Sequence, residues 1–421
     1  MPAVMRAGPR DEASTEEVPD LSLRSVAPRP HVMLRILDDD GILFDAAKQS
    51  VYELNTAGTF IWCCLEEGAD LAETCTRTRE TFGVTDSVAR GYVTAAVRHW
   101  RELQLLNEGQ EAGTGVDFDL GPPGPRKTHE PRRTGSGNSR PAVDCQDYLL
   151  LDVGFRLRIL TAALRDEIAL LLAPLATDSI RSDFVRLDLV EDGSGWLILR
   201  EGSVHARCSL REQVVPLIKT SLVEIALERS GDFGAVHAAA VVRNGCCLLL
   251  AGSSGAGKST ITAALVAAGF ELMGDDTTVL ARETLDARPV PFAICLKEGS
   301  WDLLASRFPE LEDRPIHHRL DGKKVRYLPP LRGCAWAKPR ARYPVRGLVF
   351  LNRVPEAQSA IVPLRRADAL RRLIAEFCPL GEGLTKAKLD ALVAWISRTP
   401  AFELRYSPLD DGVEQLAKLC R

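Results

Sequence analysis

The run GSSGAGKS, Gly252 to Ser259, constrains this chain more than any other feature. It satisfies every fixed position of the phosphate-binding pattern G-x-x-x-x-G-K-[ST]. Its flanks are the ones that the pattern needs. CCLLLA, Cys246 to Ala251, reads as a short buried strand. The following ITAALVAAG puts Ile261, Ala264, Leu265 and Ala268 on one helical face. Strand, glycine turn and helix N-terminus together aim backbone N–H groups at phosphate oxygens. The expected nucleotide-binding residues are Gly252, Ser253, Ser254, Gly255, Ala256, Gly257, Lys258, Ser259 and Thr260. Lys258 would reach the β- and γ-phosphates and Ser259 would ligate Mg²⁺. ATP, with GTP as the alternative, and Mg²⁺ are therefore the expected cofactors.

FELMGDD, Phe270 to Asp276, reads as the next strand of a βαβ unit, ending in two carboxylates. Carboxylates at that end of a strand lie where Mg²⁺ needs oxygen ligands. Two of them can divide the work, one holding the cation and one accepting a proton from an attacking hydroxyl. The alternative is an ordinary acidic turn.

The stretch His237 to Leu280, HAAAVVRNGCCLLLAGSSGAGKSTITAALVAAGFELMGDDTTVL, resembles the core of the HPr serine kinase/phosphorylase superfamily. That family carries a His one strand upstream, the glycine loop, a short helix and an Asp-Asp pair. His237, Lys258, Ser259, Asp275 and Asp276 fall on those positions. The resemblance is nearest to the branch that accompanies ribosomally made, modified peptides, such as lasso-peptide kinases. LKEGSW, Leu296 to Trp301, and the tail from Glu403 to Leu419 look like that branch too. The resemblance implies ATP-dependent phosphoryl transfer to a Ser or other hydroxyl of a peptide. It makes Asp275 the base, gives Asp276 with Ser259 to Mg²⁺, and sets His237 against phosphate, with a core histidine as the alternative. Thr260 stands where the bifunctional HPr enzymes have Glu, and their Pro-Gly-Arg-Asn segment is missing, so HPr is not the expected substrate.

The segment His31 to Gly109 forms a second module. Val32 to Leu37 and Gly41 to Asp45 read as strands around an Asp/Gly turn, with Val51 to Leu54 as a third. Asn55 or Thr56 caps a helix ending near Gly68. Asp70 opens a second helix and Thr85 a third, with Val93, Ala96, Val97, Trp100 and Leu103 on one face. Three strands and three helices predict a small winged-helix-like domain. With the segment V-Y-x-L-N-x-x-G-x-x-I-W, Val51 to Trp62, it resembles the PqqD-like peptide chaperone, or precursor-peptide recognition element. That resemblance implies capture of an extended leader peptide as an added strand. The third helix carries Arg90, Arg98 and Arg101 beside Asp86 and Glu102, so it is no basic stripe of the kind that nucleic acid requires.

The rest of the chain yields less. Gly109 to Val143 is rich in Gly and Pro and reads as a flexible linker with a reach of about 30–35 Å. Cys145 to Asp232 reads as antiparallel strands and two helices with a structural role. Arg314 to Arg346 carries ten Lys or Arg and one acid, Asp321. Lys323, Lys324 and Arg326 are candidates there for clamping phosphates or an acidic peptide, against a solvated loop. His317 and His318 read as surface residues. Glu298 is a candidate for orienting a second metal or the substrate, against a surface Glu.

A net charge of −4 gives no bulk affinity for nucleic acid, and no apolar run is long enough to span a membrane. The first residues lack an apolar signal core. Eleven cysteines without a framework suit reduced thiols in the cytoplasm. The expectation is a multidomain chain: 1–28 disordered, 29–108 an α+β PqqD-like recognition domain, 109–143 a disordered linker, 144–235 an α+β lead-in, and 236–421 an α/β P-loop, HPr-kinase-like domain. The expected partner is a precursor (leader) peptide, with no nucleic acid and no membrane, and self-association is open. A nucleotide-gated peptide chaperone and a small-molecule kinase are the other two readings.

Overall fold

The computed structural model describes residues 4–6, 26–108, 144–159, 164–178, 183–329, 335–355 and 358–420. In chain order the elements are β1 (Val4–Arg6), β2 (Val26–Pro28), β3 (Val32–Leu37), β4 (Asp40–Asp45), β5 (Ser50–Leu54), α1 (Thr56–Glu66), α2 (Leu71–Phe82), α3 (Asp86–Glu102) and β6 (Leu106–Glu108). After residue 143 come β7 (Asp144–Leu150), β8 (Val153–Ile159), α4 (Arg165–Leu172), β9 (Phe184–Glu191), β10 (Trp196–Arg200), β11 (Ser203–Cys208), α5 (Val214–Arg229), β12 (Gly234–Val236), β13 (Ala238–Arg243), β14 (Cys246–Ala251), α6 (Lys258–Ala267) and β15 (Glu271–Gly274). The remainder is β16 (Thr278–Leu280), β17 (Ala287–Arg288), β18 (Ile294–Lys297), α7 (Trp301–Leu304), β19 (His317–His318), β20 (Lys324–Leu328), β21 (Val345–Arg353), β22 (Ala360–Pro363), α8 (Arg366–Glu376), β23 (Phe377–Pro379), α9 (Lys386–Arg398), β24 (Ala401–Tyr406) and α10 (Leu409–Lys418). No described helix is long and apolar enough to cross a membrane. The expected linker, 109–143, lies outside the described residues, as does most of 1–28.

The chain divides into two compact units. One comprises Met1–Gly8, Pro30–Thr59 and Val143–Arg421, the other Pro9–Arg29 and Phe60–Ala142. This division cuts across the expected 29–108 domain: strands β3 to β5 group with the C-terminal part. The reason is apolar burial. Leu37, Ile42, Phe44 and Val51 lie in one core cluster with Leu370 and Leu373 of α8 and Leu389 and Leu392 of α9. Charge pairs reinforce it: Glu53 meets Arg371 at 2.9 Å and Arg365 at 3.2 Å, and Arg366 meets Asp38 at 2.7 Å. Strand order in this sheet is β1-β5-β4-β3, with Val4–Arg6 added in parallel to Val51–Glu53.

The centre of this unit is a six-stranded sheet, β15-β13-β14-β21-β24-β22. Side chains alternate along β14, as the pleat requires. Leu248 and Leu250 pack with Ile261 and Leu265 of α6 and Leu416 of α10. Cys247, Leu249 and Ala251 face the cluster that contains α8 and α9. Strand β15 is not the immediate neighbour of β14 that a simple βαβ unit would give, because β13 inserts between them, antiparallel to both. Ala268, expected on one helical face with Ile261, Ala264 and Leu265, is exposed beyond the helix's end.

The lead-in forms a five-stranded sheet, β11-β10-β9-β8-β7. It is mixed rather than antiparallel, since α4 carries the chain from β8 to a parallel β9. Phe155, Leu157, Leu187 and Leu189 pack there with Ile168 of α4 and Leu222 and Ile225 of α5.

The other unit contains α2, α3 and most of α1. Asp70 accepts the N–H of Glu73 at 2.7 Å to cap α2, and Gly83 ends it with φ 63°. Thr85 caps α3. Trp62 and Trp100, both fully buried, meet edge to face with centroids 5.0 Å apart. Strands β2 and β6 pair antiparallel.

Candidate functional site

Register explains how distant residues converge. Ala238 at the start of β13 pairs with Ala251 at the end of β14, so His237 comes level with the glycine loop. Ala240 pairs with Gly274 at the end of β15, which delivers Asp275 and Asp276 to the same place. The sheet thus gathers His237, Gly252–Ser259 and the Asp pair at one end.

The loop has the strained backbone that its glycines permit. Gly257 has φ 90°, and a Cβ there would sit 2.7 Å from Tyr406 Oη. Tyr406 in turn donates to Ala256 O at 3.4 Å. Helix α6 starts without a side-chain cap, so its first N–H groups stay available to an anion. The Lys258 ammonium folds back onto the carbonyls of Gly252 and Ser253. Burial lowers the Lys258 pKa. Ser253, Ser254 and Gly255 are exposed at the loop's tip, and Lys297 reaches Ser254 Oγ at 3.4 Å.

The two carboxylates occupy different environments. Asp275 is 3% exposed. It accepts the Ser259 hydroxyl at 3.4 Å, the Cys295 N–H at 2.7 Å and the Lys219 ammonium at 3.2 Å. Asp276 is more open. It lines a cleft of about 420 Å³ with Leu217, Lys219, Cys295, Arg319 and Tyr327. Its Oδ1 lies 3.0 Å from His237 Nε2, while His237 Nδ1 lies 3.0 Å from Glu376 Oε2. The hydrogen bond to Asp276 raises the His237 pKa against the opposing pull of burial and Lys258. Burial raises the Asp276 pKa, but the His237 hydrogen bond and the Lys219 charge outweigh it and hold the carboxyl well below its usual range.

Lys219, Glu376 and Arg319 belong to no motif in the sequence. Lys219 comes from α5 in the lead-in, so that segment supplies a site residue as well as packing. Its local signal is a lone cation inside the apolar run VVPLIKTSL. Glu376 is 139 positions from His237 and nothing local marks it.

The other candidates fall elsewhere. Arg326 stacks 4.3 Å from the Trp301 ring and donates to Leu311 O. Lys323 pairs with Asp321 at 3.1 Å and Lys324 with Glu298 at 3.8 Å. Glu298 is an exposed surface residue, 63% accessible. His317 is not on the surface as expected. It is buried in β19, paired with β20, with its ring 5.4 Å from that of Tyr327. Among the described residues, no group of three or more His, Cys, Asp or Glu is set to hold a metal ion. Ser259 and Asp275 do bring together two hard oxygens of the kind that could ligate Mg²⁺.

Comparison with known proteins gives one family match. Residues 40–106 match the model described as coenzyme PQQ synthesis protein D (PqqD). That stretch is a PqqD-like domain and takes in β4, β5 and all of α1 to α3. Curated proteins give no match. Among solved structures, one similar chain is TbiB1 in complex with the TbiA(beta) leader peptide, at 20% identity, covering 20% of this chain and 99% of that one, TM-score 0.19. Another is the Hpr(Ser) kinase/phosphatase from Coxiella burnetii, at 11% identity, covering 44% of this chain and 96% of that one, TM-score 0.21. At those TM-scores neither likeness carries weight for the activity of this chain.

Proposed function

We propose that this protein is an ATP-dependent kinase that phosphorylates a Ser, or another hydroxyl, of a ribosomally made precursor peptide held by its PqqD-like domain. The observation that carries the reading is the meeting of Ser259 and Asp275, at 3.4 Å, beside a glycine loop that bears Lys258. Bound ATP with Mg²⁺ supplies the phosphoryl group and the cation that offsets charge developing on it.

The chain's own residues have separable roles in this proposal. Backbone N–H groups of the loop and α6 cradle phosphate oxygens, and Lys258 swings from the Gly252 carbonyl to the transferring group. The two Asp roles exchange relative to the family-based expectation. Asp275, buried and facing Ser259, belongs to the cation. Asp276, on the cleft, orients the acceptor hydroxyl and takes its proton. His237 and Lys219 keep Asp276 ionised for that task. Cys295, Arg319 and Leu217 bound the cleft that receives the acceptor.

Leader capture has its own support. Val4–Arg6 adds in parallel to β5, and among the described residues β3 is the other outer strand of this sheet, where an extended leader could add. A gated chaperone without catalysis would not need Asp276 poised on an open cleft. The test is mass spectrometry of a precursor peptide encoded beside this chain, incubated with the protein, ATP and Mg²⁺. One added phosphate on a hydroxyl is expected, lost in Lys258→Ala. An unmodified peptide with intact nucleotide binding would leave the chaperone reading standing.

A further inference from the structure

Two cysteines 174 positions apart meet at the end of β14 remote from the glycine loop. Cys246 is the first residue of β14, and Cys420 lies two residues past α10. Their Sγ atoms are 2.8 Å apart. Each thiol also reaches the other's backbone neighbourhood. Cys246 Sγ lies 3.7 Å from Leu419 O, and Cys420 Sγ lies 3.9 Å from Cys246 O. The packing holds them there. Leu416 and Cys420 share an apolar cluster with Ile261 and Leu265 of α6 and with Leu248 and Leu250 of β14. Neighbouring Cys247 points to the opposite face, with its Sγ 3.5 Å from Met273 Sδ.

We propose that Cys246 and Cys420 form an oxidisable dithiol that closes to a disulfide and ties the C-terminal helix to the strand carrying the glycine loop. The oxidant class is a small-molecule disulfide such as oxidised glutathione. Cys246, half-buried, is the accessible partner, whereas Cys420 is 5% exposed. The Cys246 thiolate attacks one sulfur of the oxidant, whose S–S bond breaks to release one thiol. The Cys420 thiolate then attacks Cys246 Sγ in the mixed disulfide and expels the second thiol. Two protein thiols are oxidised, the oxidant is reduced to two thiols, and these carry away the two protons. Burial raises the Cys420 pKa, so the closing step is slow at neutral pH and accelerates as pH rises.

The experiment treats the full chain with oxidised glutathione, alkylates it under denaturing conditions and maps its peptides without reduction. A cross-linked peptide joining Cys246 to Cys420, two hydrogens lighter than the free pair, is expected. It should vanish on reduction and be absent from Cys420→Ser. Oxidised protein should also melt higher than reduced protein, because the link closes a long loop. Recovery of Cys246 and Cys420 as free thiols or separate glutathione adducts, while exposed Cys145 and Cys378 are oxidised, would overturn the proposal. The wild-type cross-link decides the matter even if the Cys420 variant fails to fold.

Discussion

His237 Nε2 lies 3.0 Å from Asp276 Oδ1, and the other ring nitrogen faces Glu376 at the same distance. The hydrogen bond to Asp276 raises the His237 pKa and so favours the imidazolium form. The histidine just before β13, together with Lys219, in turn lowers the pKa of the carboxylate on the cleft.

That relation makes a titration prediction. His237 should titrate above 6.5 by NMR, and Asp276→Asn should bring it down to or below that value. The stability due to the raised His237 pKa is fully present below about 6.5 and is lost as pH rises through the folded-state value. For Asp276 the sign is opposite: its contribution is present above about 3.9 and is lost as pH falls through the depressed value. An unchanged His237 titration in Asp276→Asn would show that the pair is not coupled.

The Asp pair should separate in kinetics. Asp276→Asn should lower turnover by about 10²–10⁴ with nucleotide affinity nearly intact, since it removes the proton acceptor. Asp275→Asn should instead weaken Mg²⁺-nucleotide binding. The opposite split, read by nucleotide titration and single-turnover transfer, would restore Asp275 as the base.

Lys219 offers a third handle. Its charge helps to depress the Asp276 pKa, so Lys219→Met should move the acid limb of the rate–pH profile to higher pH. Lys219→Arg should largely restore it. A merely structural lysine would change stability and leave the limb in place.

Strands β3 to β5 should be indispensable to the C-terminal part. A chain starting at residue 144 loses Leu37, Ile42, Phe44 and Val51 from the core. At about 1.5–3 kcal/mol for each buried side chain, the loss is roughly 6–12 kcal/mol, comparable to the stability of a whole domain. Such a truncation is expected to lose cooperative thermal unfolding.

Much of this is legible in the sequence because it is local. Strand β14, the helix after the glycine run, the caps Asp70 and Thr85 and the turn at Gly83 are each written within a few residues, and all form as expected. The Lys219–Asp275 and His237–Glu376 contacts are not legible, because each depends on the sheet order and on helices far away in sequence. The antiparallel β13 between β14 and β15 is likewise a matter of topology, which hydrophobic periodicity does not encode. His317 reads wrongly as a surface residue because a polar, basic neighbourhood resembles a loop, whereas the pairing of β19 with β20 buries the ring.

The most direct measurement is steady-state phosphorylation of a precursor peptide with and without its leader by the intact protein. A leader held on the PqqD-like domain keeps the acceptor hydroxyl near the cleft at roughly millimolar effective concentration. The full-length peptide should therefore show a KM lower by about tenfold or more, with kcat at saturation unchanged, because the proposed chemistry rests on Lys258, Asp275 and Asp276 and not on leader binding. Equal KM values for the two peptides, or no transfer to either, would contradict a kinase that captures its substrate by the leader.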